Sequence, residues 1–355
     1  MAVAGDGAPG ITHEASRLAD FSDVQVAVVG DVIADHYIYA EPRRLSREAP
    51  VIVLRHAGER IGAGGAANVA RNLRALQSCV RIVGIVGRDQ EGGELLRLLD
   101  EESVDTSGVH ILDGYQTPIK TRVLAAEPRR NPQQVLRIDR EPDRPIEPLV
   151  REAIADQLVA MGNMVDAVIV SDYAYGLCDV EIGIAASELS RAGKVVVLDP
   201  RCEVTHFSGL TALTPNVDEL ARFTNTSPDR LGDQRALANA AQVLLAATGC
   251  RFLLVTRGNL GMALFGEGLP GDGIVIKAWG TSAITDVCGA GDTAAAVFAL
   301  ALAAQYPAPE AMYLANVASG LVVLEHGAAV CPIGALDEAL AVDSMPVTSS
   351  DVKWR

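Results

Sequence analysis

Residues 286–304, DVCGAGDTAAAVFALALAA, set an aspartate behind a Gly-Ala-Gly turn and ahead of a strongly helix-forming apolar run. Backbone N–H groups at such a helix start project outward together and can bind phosphate oxygens. Gly289, Ala290 and Gly291 would form that cradle, with Asp292 beside it in the first helical turn. A carboxylate there can take the proton of an alcohol while the amides absorb charge building on a phosphoryl group under attack. The competing reading is a helix cap on a plain chain turn. Lys120 and Arg122 in IKTRVL are spaced i, i+2, so on a strand they share a face and can enter one cleft together. Arg137, close to Gln133 and Gln134, would add a third positive charge for a phosphorylated substrate; the alternative is a solvated face paired with Glu141 and its neighbours. Asp35 and Asp172 each follow the end of a strand-like run, where open α/β sheets place ligand residues; either could instead fix a turn.

Other chemistries fit poorly. The GAGGAA stretch at 62–67 looks like a dinucleotide fingerprint, but it follows the charged segment HAGER rather than a buried strand, and the nearest acidic candidate, Asp89, comes too late. No Gly-x-x-x-x-Gly-Lys-Ser/Thr sequence and no protein-kinase residue set occurs, so phosphoryl transfer needs another architecture.

The elements that must position these residues alternate along the chain. Continuous apolar runs at 24–30, 80–87, 166–172, 194–200 and 251–258 predict buried parallel strands. Helical patterns at 66–76, 91–101, 149–161, 180–192 and 233–247 lie between them. That alternation predicts an α/β fold, a doubly wound, mainly parallel sheet flanked by helices. Residues 37–56 and 109–139 break the rhythm as strands without a helix between them, and in the second the runs VHILDG, PIKTRVLA and QQVLRID read as an antiparallel meander. The two insertions, at about 37–56 and 109–141, are expected to pair as a small β-sheet lid at the ligand edge, closing over a site and excluding water. The organisation expected is a mobile tail over 1–20, one domain over 21–342 and a loose tail over 343–355.

Composition narrows the partners. The chain has 355 residues, 49% of them hydrophobic, enough for a large core and against disorder. A net charge of −15 repels polyanions, which argues against nucleic-acid or anionic-membrane binding. The six cysteines show no Cys-x-x-Cys spacing, so buried free thiols in a reducing compartment are expected. The N-terminus lacks a signal-peptide pattern and the longest apolar stretch, 294–304, is half of a membrane span, so the expectation is a cytoplasmic protein.

Taken together, the GAGD at 289–292, GAGGAANVARNL at 62–73 and TPNVDE at 214–219 make the chain resemble the ribokinase-like (PfkB) carbohydrate kinases from about residue 24 to 340. Within that family GDVIADHY (30–37), LSREAPVIVL (45–54), IKTRVL, QQVLRIDRE (133–141) and SDYAYG (171–176) resemble the D-glycero-β-D-manno-heptose 7-phosphate kinases. The resemblance implies ATP and Mg²⁺ as cofactors and phosphorylation of the anomeric hydroxyl to the 1,7-bisphosphate, in ADP-heptose supply for lipopolysaccharide core. It implies Asp292 as base; Asp35, Gly64, Gly65 and Asn68 at the sugar; and Asn216 and Glu219 organising Mg²⁺, water and triphosphate. Thr256, Arg257 and Gly258 would meet nucleotide phosphate and ribose, Asn316 would lie near adenine, and Asp286 would mark a K⁺ site. A homodimer through the lid is also implied. The likeness stops where a fused adenylyltransferase would begin, so the stand-alone kinase is expected. Two positions depart from the pattern: Cys288 stands where relatives carry Thr, and Tyr175 where heptose kinases carry Lys. Rival readings are a kinase for ribose, fructose or a ketodeoxy sugar acid, and a sugar sensor on the same fold.

Overall fold

Alternate residues of the first strand serve two separate cores. Val26 and Val28 pack into one, Ala27 and Val29 into the other, as befits a sheet covered on both faces. The computed structural model describes residues 18, 20–126, 132–201, 203–280 and 285–342. The tails expected at 1–20 and 343–355 therefore fall, residues 18 and 20 apart, outside the described residues, as do 127–131 of the loop between two lid strands.

In chain order the elements are β1 (Gln25–Gly30), β2 (Val32–Leu45), β3 (Ile52–Gly65), α1 (Ala66–Ala75), β4 (Cys79–Gly87), α2 (Gln90–Glu101), β5 (Asp105–Leu112), β6 (Ile119–Ala125) and β7 (Gln133–Arg140). There follow α3 (Pro148–Ala160), β8 (Ala167–Ser171), α4 (Val180–Arg191), β9 (Val195–Asp199), β10 (Ala212–Leu213), α5 (Val217–Phe223), α6 (Gln234–Thr248) and β11 (Phe252–Thr256). The chain continues through β12 (Met262–Gly266), β13 (Ile274–Ile276), α7 (Ala290–Ala303), α8 (Ala308–Val322) and α9 (Ile333–Val342).

The large sheet runs β13-β12-β11-β10-β9-β8-β1-β4-β5, with β12 antiparallel to β11 and to β13 and the other pairings parallel. Helices α1, α2, α7, α8 and α9 pack on one face, α3 to α6 on the other. Strand order reverses between β1 and β8, and a crevice opens at such a switch point, outside the carboxyl ends of the strands. The doubly wound expectation is met. Local signals punctuate the helices: Asp89 accepts from Gly92 N–H at 2.8 Å to start α2, and α6 ends on Gly249 in the left-handed region.

The second sheet has the order β3-β2-β6-β7 and is the lid. Its makeup corrects three expectations. VHILDG is not a lid strand: Val109 pairs with Gly84, so β5 is the outer strand of the large sheet. Its polar/apolar alternation reflects one open face of an edge strand, a pattern that a lid strand shares. The first insertion is longer than 37–56, because β2 starts directly after β1 and β3 runs on to Gly65. Nor is the second a plain meander, since β6 lies parallel to β2 and antiparallel to β7.

Candidate active site

The carboxyl ends of β1, β8 and β9 deliver the loops of the site, and buried aspartates hold those loops together. Asp31 accepts from Tyr173 N–H at 2.8 Å and Tyr175 N–H at 3.2 Å. Asp172 accepts from Ala174 N–H at 2.8 Å and Arg201 N–H at 2.9 Å, one on each oxygen. Asp172, expected at the sugar, thus also shapes the 172–174 turn and the loop after β9. Burial, with Asp172 nearby, raises the Asp31 carboxyl to about 7.

Asp292 lies in the first turn of α7 and is 4% exposed. Asn68 Nδ2 donates to its Oδ2 at 2.7 Å, and Tyr173 Oη donates to its Oδ1 at 2.7 Å. Burial lifts this carboxyl from 3.8 to about 6, against the two hydrogen bonds, which favour the ionised form. It therefore titrates near neutral pH, the range in which a general base works best. Gly289 opens α7 at φ 80, and a Cβ there would stand 2.7 Å from Asn68 Nδ2, so the glycine is required twice over. No side chain caps this helix start, and Gly291 beside Ala290 is exposed, which leaves first-turn N–H groups available to an anion.

The lid supplies the sugar side. Asp35 and Lys120 are partners in the parallel β2–β6 register, as are Tyr37 and Arg122, so all four side chains share the inner face. Asp35 accepts from Arg122 at 2.6 Å with both residues buried. On β3, Gly64 faces the same carboxylate: a Cβ would sit 2.9 Å from Asp35 Cγ, so any side chain would expel it. Gly65 is buried and leads into α1, which carries Asn68. Lys120 Nζ stands 4.1 Å over the Tyr173 ring, and burial pulls its ammonium below the ordinary lysine value. Arg137 lies opposite Arg122 on β7, yet its guanidinium folds back onto Asp139 at 2.6 Å and is half-exposed. The expected third free positive charge is thus neutralised by its own strand. Tyr175 is partly buried among Asp31, Asp139, Glu141 and Arg137, and Cys288 lies within electrostatic reach of Arg122, Asp35 and Asp292.

On the opposite side Asn216 and Glu219 form the capping box of α5, each side chain accepting from the other's backbone N–H at 2.9 Å. Glu219 is also paired with Arg201 at 3.0 Å, and burial raises its pKa. Asp199, at the end of β9, accepts from Thr214 Oγ1 at 2.8 Å; burial and the nearby Glu219 and Asp292 push it to about 8. Thr256 bridges Asn216, and both line a hollow of about 420 Å³ with Arg257 and Gly258; the Arg257 Nε is buried there without a partner. A second hollow of about 540 Å³ is walled by Trp279, Tyr313, Ile276 and Asn316, apolar surface that suits a purine ring. The Asn316 amide itself donates to Lys277 O at 2.8 Å. Asp286 uses one oxygen on Cys288 N–H and the other on Gly327 N–H, both at 3.0 Å, so it ties the α7 entry to the 325–328 loop. Residues 281–284 beside it lie outside the described residues.

The site so assembled also contains Asp31 and Tyr173, which lie inside GDVIADHY and SDYAYG but are assigned no role there, and Asp199 and Arg201, which lie in none of the quoted motifs. Asp199 carries a readable sign, an aspartate closing the apolar run KVVVLDP; Tyr173 and Arg201 carry none that distinguishes them from loop residues. Among the described residues no three His, Cys, Asp or Glu side chains gather to hold a metal by themselves, and no helix is long and apolar enough to cross a membrane.

A doubly wound sheet, a four-stranded lid and a buried aspartate at an uncapped helix start together describe the ribokinase-like architecture of a sugar kinase. The chain belongs to the pfkB family of carbohydrate kinases, which its residues 24–333 match. It is similar to the bifunctional protein HldE of Geobacter metallireducens, with 37% identity over 314 residues covering 88% of this chain and 62% of that protein. The HldE of Rhodospirillum rubrum is 33% identical over 355 residues, covering 96% of this chain and 69% of that one. The chain thus spans less than two thirds of the first of these relatives. Among solved structures, Arabidopsis thaliana ribokinase complexed with ribose and ATP matches 90% of this chain and 99% of its own at a TM-score of 0.68 and 21% identity. Phosphofructokinase-2 from Escherichia coli, in complex with potassium, matches the same shares at 0.73 and 16%. At those identities the likeness is one of fold.

Proposed function

We propose that this carbohydrate kinase transfers the γ-phosphoryl group of ATP to the anomeric hydroxyl of D-glycero-β-D-manno-heptose 7-phosphate, giving the 1,7-bisphosphate for ADP-heptose and lipopolysaccharide core synthesis in the cytoplasm. The observation that carries the chemistry is the Asp292 carboxylate, buried between Asn68 and Tyr173 at the start of α7 and beneath the cationic lid face. Asp292 accepts the hydroxyl proton; the sugar oxygen attacks phosphorus in line; the bond to ADP breaks. N–H groups at Gly289, Ala290 and Gly291 receive the transferring oxygens. Asp35, held by Arg122, and Asn68 orient the sugar between Gly64 and Gly65, while Lys120, over the Tyr173 ring, lies within electrostatic reach of the base. Thr256, Arg257 and Gly258 hold the triphosphate and ribose, and the hollow beside Asn316 takes the adenine.

Among the described residues no three His, Cys, Asp or Glu side chains gather to hold Mg²⁺ by themselves, so the ion would be bound together with the triphosphate. It would neutralise phosphate charge, with Glu219, whose oxygens face Arg201 and the Asn216 N–H, reaching it through water. A K⁺ ion beside Asp286 would share its two oxygens with the Cys288 and Gly327 N–H groups.

The second reading, a kinase for an unphosphorylated sugar, is favoured by one observation: Arg122 and Arg137 are each neutralised by an aspartate, so Lys120 is left as the free lid cation among the three. Coupled ADP-release kinetics on heptose 7-phosphate, ribose, fructose and a ketodeoxy sugar acid decide between them. The heptose reading requires kcat/KM highest on the heptose phosphate; a preference for any unphosphorylated sugar overturns it.

The lid also supports a homodimer. Ile38, Val123, Leu136 and Ile138 share its outer face by register, and Leu136 and Ile138 are more than half exposed. We expect a dimer by sedimentation at micromolar concentration and a monomer for Leu136→Lys combined with Ile138→Lys. A monomeric parent chain would remove the proposal.

A further inference from the structure

Tyr173 lies within SDYAYG, where the sequence assigns it no role, yet its hydroxyl meets the carboxylate on which phosphoryl transfer turns. Its ring is held from three directions. The backbone N–H is bonded to the buried Asp31, the Lys120 ammonium stands 4.1 Å from the ring centre, and the Arg201 guanidinium 5.3 Å from it. So restrained, the hydroxyl sits 2.7 Å from Asp292 Oδ1, while Asn68 takes Oδ2 at the same distance. These are the hydrogen bonds that reach the Asp292 oxygens among the described residues, and each oxygen keeps a lone pair for a sugar hydroxyl.

We infer that Tyr173 is a positioning residue for phosphoryl transfer: it aims the Asp292 carboxylate and keeps it ionised in a site from which water is largely excluded. The inference rests on Asp292 being the base. The charged form has few other supports there. Asp35 from β2, Asp199 from the end of β9 and the Cys288 thiol before α7 lie near Asp292; the Asp35 carboxylate disfavours its charge, Lys120 from β6 favours it, and the Asp292 charge in turn helps to hold Asp199 and Cys288 protonated. Burial opposes the charge more than any of these. Toward the ionised carboxylate Tyr173 acts as a donor, because burial and Asp292 itself hold its phenol protonated. In the reaction the sugar hydroxyl proton passes to Asp292, and the Tyr173 proton stays where it is.

Tyr173→Phe keeps the ring and its cation contacts and deletes the donor alone. A hydrogen bond to a charged acceptor is strong enough to move the acid limb of the kcat/KM profile up by about one to two pH units. Activity at pH 7 should fall about two- to tenfold and return above about pH 9, with KM for ATP unchanged. Incorporating 3-fluorotyrosine at position 173, a more acidic donor of nearly the same shape, should move the acid limb in the opposite direction. A side chain that merely fills space would give a pH-independent loss in the first variant and none in the second; either an unmoved limb or a uniform loss overturns the inference. If Tyr173→Phe does not fold, the fluorotyrosine protein carries the test by itself. Asp292→Asn measured in parallel separates the two levels: retained turnover removes the base and this inference with it, whereas lost turnover with unmoved limbs removes Tyr173 alone.

Discussion

Asp292→Asn lowers kcat by about two to four orders of magnitude while leaving ATP and sugar bound, because the substitution removes the proton acceptor and almost nothing else. The geometry makes the variant a clean one. The amide oxygen can accept from one of the two donors. Its nitrogen can donate to the other site, since the Tyr173 hydroxyl can rotate and the Asn68 Oδ1 is buried without a partner, ready to accept if that amide turns over. Stability should respond with the opposite sign to activity. The folded-state pKa of Asp292 is raised from 3.8 to about 6, so the neutral form is favoured by the fold; that contribution is complete below about pH 3.8 and lost as pH rises through about 6. At pH 7 the ionised carboxylate therefore costs the wild-type chain on the order of 3 kcal/mol, a cost that the amide does not carry. Denaturation at pH 7 should find the variant at least as stable as wild type, with the gap closing by about pH 4. Calorimetric titration checks ligand binding. Turnover within tenfold of wild type would dismiss Asp292 as the base.

What could be read from residues alone follows the range of the physics involved. Strands buried on both faces announce themselves as apolar runs, and β1, β4, β8, β9 and β11 fall where those runs lie. Helix α7 is equally plain, because a Gly-Ala-Gly turn ahead of an apolar stretch is a local signal. The lid strands were harder. An edge strand of a large sheet and a strand of a small one both expose one face, so the alternation in VHILDG could not say to which sheet β5 belongs. The site divides in the same way. Asn68 meets Asp292 across 224 positions and Tyr173 meets it across 119, and neither contact has a local sequence correlate. Arg137 differs for the reverse reason: it satisfies itself two residues along its own strand, on Asp139. Spacing can place a charge on a face, but it cannot show that a neighbour has already taken it.

The largest effect on stability is expected at Arg122. Its guanidinium lies 2.6 Å from Asp35 Oδ1, with the side chains 9% and 5% exposed. Removing one member of such a pair leaves the other charge buried without its counter-ion, which typically costs about 3–5 kcal/mol, whereas replacing both by apolar groups of similar volume is often near neutral. Arg122→Met should accordingly be destabilised by about that amount in urea denaturation at pH 7. Combining Arg122→Met with Asp35→Asn, which removes the second charge without adding volume against Gly64, should recover most of the loss, a coupling that a double-mutant cycle reads directly. Function should not recover with stability. Gly64 leaves room for the Asp35 carboxylate and for nothing larger behind it, so the carboxylate is aimed by Arg122 and by the absence of a side chain at Gly64 together. The single variant should raise the sugar KM because Asp35 is no longer aimed, and the double variant should raise it further because the carboxylate is gone, with KM for ATP little changed in either. A double variant as unstable as Arg122→Met would mean that the pair contributes through packing and not through charge. A sugar KM unaltered in both would move the sugar hydroxyls away from Asp35.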